Sequence, residues 1–195
     1  MNSRDDLPEM AGHSVGDRED RKRFLLSTTV LTVPGTLAAV VVPWWLGWPE
    51  VEGVFANEEA ATTAERLRFA FTWSFVGFVP YALICLRILQ TRLTQGAHNP
   101  LEGAEDTALK IHCRAMQNTL EQLIWFVLCI VPVTLCLPYD GLHLVPLVTL
   151  GFVFARLAYW WGYFQNGTLG RRYGVQMTFT LNIGLLLLAA ALLLS

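Results

Sequence analysis

Arg114-Ala115-Met116-Gln117-Asn118-Thr119-Leu120-Glu121-Gln122-Leu123-Ile124-Trp125-Phe126-Val127-Leu128-Cys129-Ile130-Val131-Pro132-Val133-Thr134-Leu135-Cys136-Leu137 is the stretch that decides the fold. From Leu120 onward it is almost unbroken apolar sequence, close to the ~20 residues a membrane-spanning helix requires. Its first third carries Arg114, Asn118 and Glu121 at i, i+4 and i+7, which places them along one helical face. The apolar stripe Leu109, Ile111, Met116 and Leu120 extends the helix backward to about Ala108.

Four further stretches have the same character: Phe24–Gly47, Phe69–Leu89, Leu142–Gln165 and Val175–Leu194. Five spans therefore predict an all-α, polytopic membrane helical bundle. Hydrophobic residues form 53% of the 195 positions and charged residues 15%, a balance that suits a bilayer solvent better than a hydrated surface. Pro80, Pro132 and Pro146 are expected to bend or start their helices. The formal net charge of -2 offers no footprint for nucleic acid. Cys85, Cys113, Cys129 and Cys136 read as apolar thiols, and the dispersed His13, His98, His112 and His143 indicate no metal site.

Residues 1–23 mix both charge signs with almost no large apolar residues and are expected to form a disordered cytoplasmic tail. Residues 24–47 follow Arg21-Lys22-Arg23 but exceed the ~7–15 residues of a signal-peptide core, so they are read as a retained helix. Lys and Arg gather before the first span (Arg18, Arg21, Lys22, Arg23), around the second loop (Arg87, Arg92, Lys110, Arg114) and after the fourth span (Arg171, Arg172). The positive-inside rule then puts the N-terminus in the cytoplasm. Glu50, Glu52, Glu58, Glu59 and Glu65 fall on the opposite side, and Trp44, Trp45 and Trp48 mark that interface.

By ~1.5 Å of rise per residue, Glu121 lies roughly 14 Å inside the helix, beyond snorkelling reach. Arg156, on the fourth span, has a matching depth of roughly 15 Å counted from Asn166. Tyr159 and Tyr163 continue its face at i+3 and i+7, and Arg171 or Arg172 can cap the opening. Two readings stand side by side. Glu121 and Arg156 are a buried pair holding two helices in register, with Asn118 as an interhelical hydrogen bond; or the excess of arginine and tyrosine lines a cavity for a small anion.

Two motifs resemble a known family, the membrane-associated proteins in eicosanoid and glutathione metabolism. Arg114-Ala115-Met116-Gln117-Asn118-Thr119-Leu120-Glu121, preceded by Asn99-Pro100, is similar to the family's second helix. Phe154-Ala155-Arg156-Leu157-Ala158-Tyr159-Trp160-Trp161-Gly162-Tyr163 is similar to its third. The resemblance implies a four-helix membrane domain over 69–195, with residues 24–47 as one extra N-terminal transmembrane helix. It implies a homotrimer that binds glutathione through Arg114, Asn118, Glu121, Arg156, Tyr159 and Tyr163, with Arg171 as the catalytic, thiolate-stabilising arginine. The activity implied is a glutathione transferase or peroxidase acting on a lipophilic small molecule or lipid.

The chain departs from the family pattern in places. Gln122 stands where leukotriene-synthase-like members often have tyrosine, and Arg171 lies about one residue further from Tyr163 than the pattern expects. The leading helix and Gly170-Arg171-Arg172-Tyr173-Gly174 look more like the mattrin-type branch. A non-catalytic membrane protein binding lipid or a protein partner is the main alternative. A transporter is disfavoured because no internal repeat is present.

Overall fold

The computed structural model describes residues 15–48, 62–95 and 106–195. Five long helices follow in order: α1 (Val15–Trp45), α2 (Thr63–Gln95), α3 (Thr107–Cys136), α4 (Leu144–Gly170) and α5 (Arg172–Leu194). A single 3₁₀ turn, Tyr139–Gly141, joins α3 to α4. All five helices are long and apolar enough to cross a membrane.

Local chemistry sets the helix starts. Thr62 and Glu65 form a reciprocal capping box: the Thr62 backbone N–H donates to the Glu65 carboxylate at 2.8 Å, and the Glu65 N–H donates to Thr62 Oγ1 at 3.3 Å. That cap moves the start of α2 six residues ahead of the apolar run at Phe69. Asp106 caps α3 by accepting the Leu109 N–H at 2.7 Å, which explains why the helix starts close to Ala108. Pro80 and Pro132 lie inside α2 and α3, and Pro146 in the first turn of α4, where its missing N–H costs little.

The expected tail at 1–23 is altered in part. Residues 1–14 lie outside the described residues, but 15–23 belong to α1. Asp17 and Glu19 each precede a basic residue, Arg21 and Arg23, by four positions, a spacing that favours helix. The acidic first-loop residues Glu50, Glu52, Glu58 and Glu59, and the Asn99-Pro100 loop, lie outside the described residues.

Helices α2, α3, α5 and α4 pack in that cyclic order into a four-helix bundle, and α1 lies outside it against α5 and α4. The core centres on Phe126 of α3 stacked on Phe152 of α4, with ring centroids 4.4 Å apart, and is closed by Ile130, Val133, Val145, Leu181 and Leu185. Leu128, Phe75 and Leu187 are exposed on the outside, as helices solvated by lipid allow. Cys129 is buried, whereas Cys85 and Cys113 are half-buried and Cys136 is exposed, so the reading as apolar thiols describes one truly interior position.

Two polar ties hold α1. Gln176 Nε2 donates to Thr29 Oγ1 at 2.7 Å, and His143 Nε2 donates to the Trp44 carbonyl at 2.7 Å while the two rings stack. Trp44 therefore holds α1 against the α3–α4 connection, a more specific role than interfacial anchoring alone.

Arg66 fixes the far end of the bundle. Its Nη1 reaches from α2 to the last carbonyls of α3, at 3.1 Å from Thr134 O and 2.5 Å from Leu137 O. A guanidinium at a helix C-terminus satisfies orphan carbonyls and the helix dipole together. Arg66→Gln is expected to cost about 1–3 kcal/mol, read as a lower thermal midpoint in detergent; an unchanged midpoint would show that the cap contributes nothing.

Candidate functional site

The site grows from the junction of α4 and α5. Asn166 (φ -126°, ψ 18°) and Gly167 (φ 57°, ψ -137°) break the helix, so the continuous α-helical run ends at Gln165 and the chain turns back. Gly167 supplies the positive φ that a side chain would resist. Beyond the break, Gly170 lies directly against Gly162, and Gly174 lies against the backbone of Ala155 and Tyr159, with no room for a Cβ at any of the three glycines. Small residues thus bring the two backbones into contact, as membrane helices without a hydrophobic driving force between them often require.

That close approach assembles a row of cations and phenols. Arg156 Cζ sits 4.1 Å from the Tyr159 ring centroid, the Tyr159 and Tyr163 rings are 5.9 Å apart, and Arg171 Cζ lies 5.0 Å from the Tyr163 ring. The break at Asn166–Gly167 turns the chain so that Arg171 comes back over the Tyr163 ring. Arg172 turns elsewhere, with its guanidinium over Tyr173 and Nη2 donating to Tyr173 Oη at 3.0 Å.

Arg156 is 1% exposed and all its hydrogen-bond partners are neutral. Nη2 donates to Thr119 Oγ1 at 2.9 Å and to Asn118 Oδ1 at 3.0 Å, Nε donates to Thr119 Oγ1 at 3.3 Å, and Nη1 donates to Thr178 Oγ1 at 3.5 Å. The Tyr159 hydroxyl is buried beside it without a hydrogen-bond partner. A guanidinium and an unpartnered phenol hydroxyl are thus enclosed together, and no described carboxylate bonds to either.

The expected Glu121–Arg156 pair does not form. The buried meridian of α3 runs through His112, Ala115, Thr119, Gln122 and Phe126. Glu121 stands two residues from Thr119, about 200° around the helix. It is exposed and accepts from Gln117 Nε2 at 3.3 Å. Arg114 is exposed as well, and only Asn118, at the edge of the buried face, joins Arg156. Thr119 and Thr178 were not singled out from sequence, because hydroxyls inside apolar helices usually satisfy their own backbone; Thr178 does that too, donating to Gly174 O at 2.7 Å.

A family model for the MAPEG family matches residues 70–191. The chain belongs to the MAPEG family. No curated protein and no solved structure matches it. The matched segment contains α2 through α5 almost entire, so this MAPEG chain is an integral, multi-pass membrane protein whose four-helix bundle carries α1 as an addition. Both the arginine–tyrosine row and the α3 stripe lie within the matched residues.

Gln122 takes a role that its position relative to Glu121 did not suggest. In this MAPEG chain it faces inward and accepts from Asn182 Nδ2 through its side chain at 3.0 Å and its backbone carbonyl at 3.2 Å. Asn182 is fully buried and ties α5 to α3. Asn182→Leu is expected to cost about 1–2 kcal/mol; thermal unfolding with Gln122→Leu and the double variant gives the coupling, and additive losses would mean that the two side chains do not interact.

Proposed function

We propose that this MAPEG protein binds glutathione and works as a glutathione transferase or peroxidase on lipophilic substrates at the membrane. The observation that carries the reading is Arg156, buried with neutral partners only, at the head of the Tyr159–Tyr163–Arg171 row. Glutathione brings two carboxylates for arginine to hold and a thiol that, once ionised, attacks an electrophile. Arg171 is the catalytic residue: a guanidinium beside the thiol favours its ionised form. Asn118 orients Arg156, and the two phenols offer hydrogen bonds and exclude water.

Arg114 and Glu121, exposed on α3, complete the binding set from a surface that a neighbouring subunit covers. This supports a homotrimer with its ligand sites between subunits. The MAPEG domain is taken as 69–195, preceded by the extra transmembrane segment at 24–47; residues 1–23, whose last nine belong to α1, lie on the cytoplasmic side, where the basic loops also fall.

Purified full-length protein titrated with glutathione tests the reading. A raised thermal midpoint and the ultraviolet absorbance of a thiolate are expected, with Arg171→Ala losing the absorbance and keeping the thermal shift, and Arg114→Ala weakening both. No shift and no absorbance in the parent protein would overturn it. The inward turn of Gln122, which removes a polar side chain beside Glu121, favours a second reading: a non-catalytic member of mattrin type that binds lipid or a protein partner. Under that reading glutathione leaves the midpoint unmoved, while Glu121→Gln disperses the oligomer.

A further inference from the structure

A mostly apolar cavity of about 380 Å³ opens near the α4–α5 break, on the face made by α2, α3 and α4. Arg87, His112, Leu157, Trp160, Trp161 and Phe164 line it. Its polar functions are the indole N–H groups of Trp160 and Trp161, Arg87, exposed near the end of α2, and His112, which is 4% exposed. The Trp160 indole N–H donates to His112 Nδ1 at 3.0 Å, so in the neutral imidazole the proton sits on Nε2. Phe164 stacks on the ring at 5.4 Å, nearly parallel, and holds that orientation.

Among the described residues His112 Nε2 has no hydrogen-bond acceptor, and Arg87 gives one of its five donors to Gln90 Oε1 at 2.9 Å. No carboxylate is among the described residues that line the cavity; Asp106, whose charge reaches His112, is engaged in capping α3. Every free polar function there is a donor, one of them permanently charged, so the matching head group is an anionic acceptor. The apolar wall opens sideways: Trp161 is 69% exposed and Phe164 45%, on the outside of the bundle. His112 is on the second turn of α3 and Phe164 lies just before the break that ends α4, which places the cavity at head-group depth.

We propose that this cavity is a binding site for an anionic glycerophospholipid, whose phosphodiester is held by Arg87 and His112 and whose acyl chain lies over Leu157, Trp161 and Phe164. Charge complementarity selects this occupant: a zwitterionic lipid would bring its own cation to Arg87, and basic pockets between membrane helices favour anionic head groups. The proposal is independent of the glutathione reading, since none of the lining residues belongs to the arginine–tyrosine row.

Native mass spectrometry of the full chain, released from uncharged micelles containing equal phosphatidylglycerol and phosphatidylcholine, tests it. One phosphatidylglycerol per chain is expected to be retained preferentially. Arg87→Gln should lower that retention by roughly tenfold or more, the scale of one lost charge-assisted hydrogen bond. Leu157→Trp, which fills the cavity, should lower it without touching either polar group. Lys110→Gln, an exposed cation at the same end, should leave it unchanged. Equal retention of the two lipids, no retention, an equal loss with Lys110→Gln, or displacement by oleate at one per chain would each overturn the assignment. Glutathione titration of Arg87→Gln keeps the two readings apart, since its thermal shift should match that of the parent.

Discussion

Arg156→Met is expected to abolish the glutathione-induced thermal shift while leaving the unliganded protein at least as stable as the parent. A guanidinium that is 1% exposed has been stripped of water, and its compensation here comes from two threonine hydroxyls, an asparagine carbonyl and an aromatic face. Such a buried charge is costly, and an apolar replacement of similar length is often neutral or stabilising by about 1–4 kcal/mol. If Arg156 served only to join α3, α4 and α5, the methionine variant would unfold earlier. If it is held ready for an anion, stability survives and binding does not. Arg156→Lys sharpens the comparison, since it keeps the charge but loses the fork that reaches Thr119, Asn118 and Thr178 together. Its glutathione affinity is expected to fall by roughly tenfold to a hundredfold, given about 1.5–3 kcal/mol for a hydrogen bond to a charged group.

Gly174→Leu is expected to prevent the bundle from closing, leaving little folded protein after extraction. At Gly174 even a Cβ would run into the backbone nitrogen and Cα of Tyr159 and the carbonyl of Ala155. Those atoms belong to helix backbone and cannot rotate away as a side-chain tip does. Overpacking usually costs about 1–3 kcal/mol; a leucine against rigid backbone must separate the helices and exceeds that range. Gly174→Ala is the graded version: a clear loss of thermal midpoint with folding retained. It also moves Thr178 away from Arg156 and Arg171 away from Tyr163, so glutathione binding should fall in parallel. A Gly174→Leu protein with the parent's midpoint would refute the packing account.

The number of spans, their order and the separate leading helix were legible in the sequence. Apolar runs of membrane length, and the stripe Leu109, Ile111, Met116 and Leu120 that carries α3 back to about Ala108, are local signals that need no partner to be read. The arginine–tyrosine row was legible for the same reason: residues at i, i+3 and i+7 share a helix face wherever the helix lies, as Arg156, Tyr159 and Tyr163 do.

What remained hidden was which way each face points. Glu121 and Arg156 match in depth, yet depth is one coordinate, and rotation about the helix axis is the other. Rotation is set by packing: Thr119, Gln122 and Phe126 turn inward because Arg156, Asn182 and Phe152 meet them there, and Glu121 is left outside. The bilayer weakens the sequence signal further, because lipid-facing and core-facing residues are both apolar, so composition cannot tell the faces apart.

The sequence by itself determined that this chain is a five-span membrane protein with charged residues placed within its helices, because hydropathy and helical spacing are properties of one segment at a time. Only the tertiary structure decided that Arg156 is enclosed by threonine hydroxyls, an asparagine carbonyl and the Tyr159 ring instead of a carboxylate, since a partner across a helix interface depends on how the helices rotate against one another.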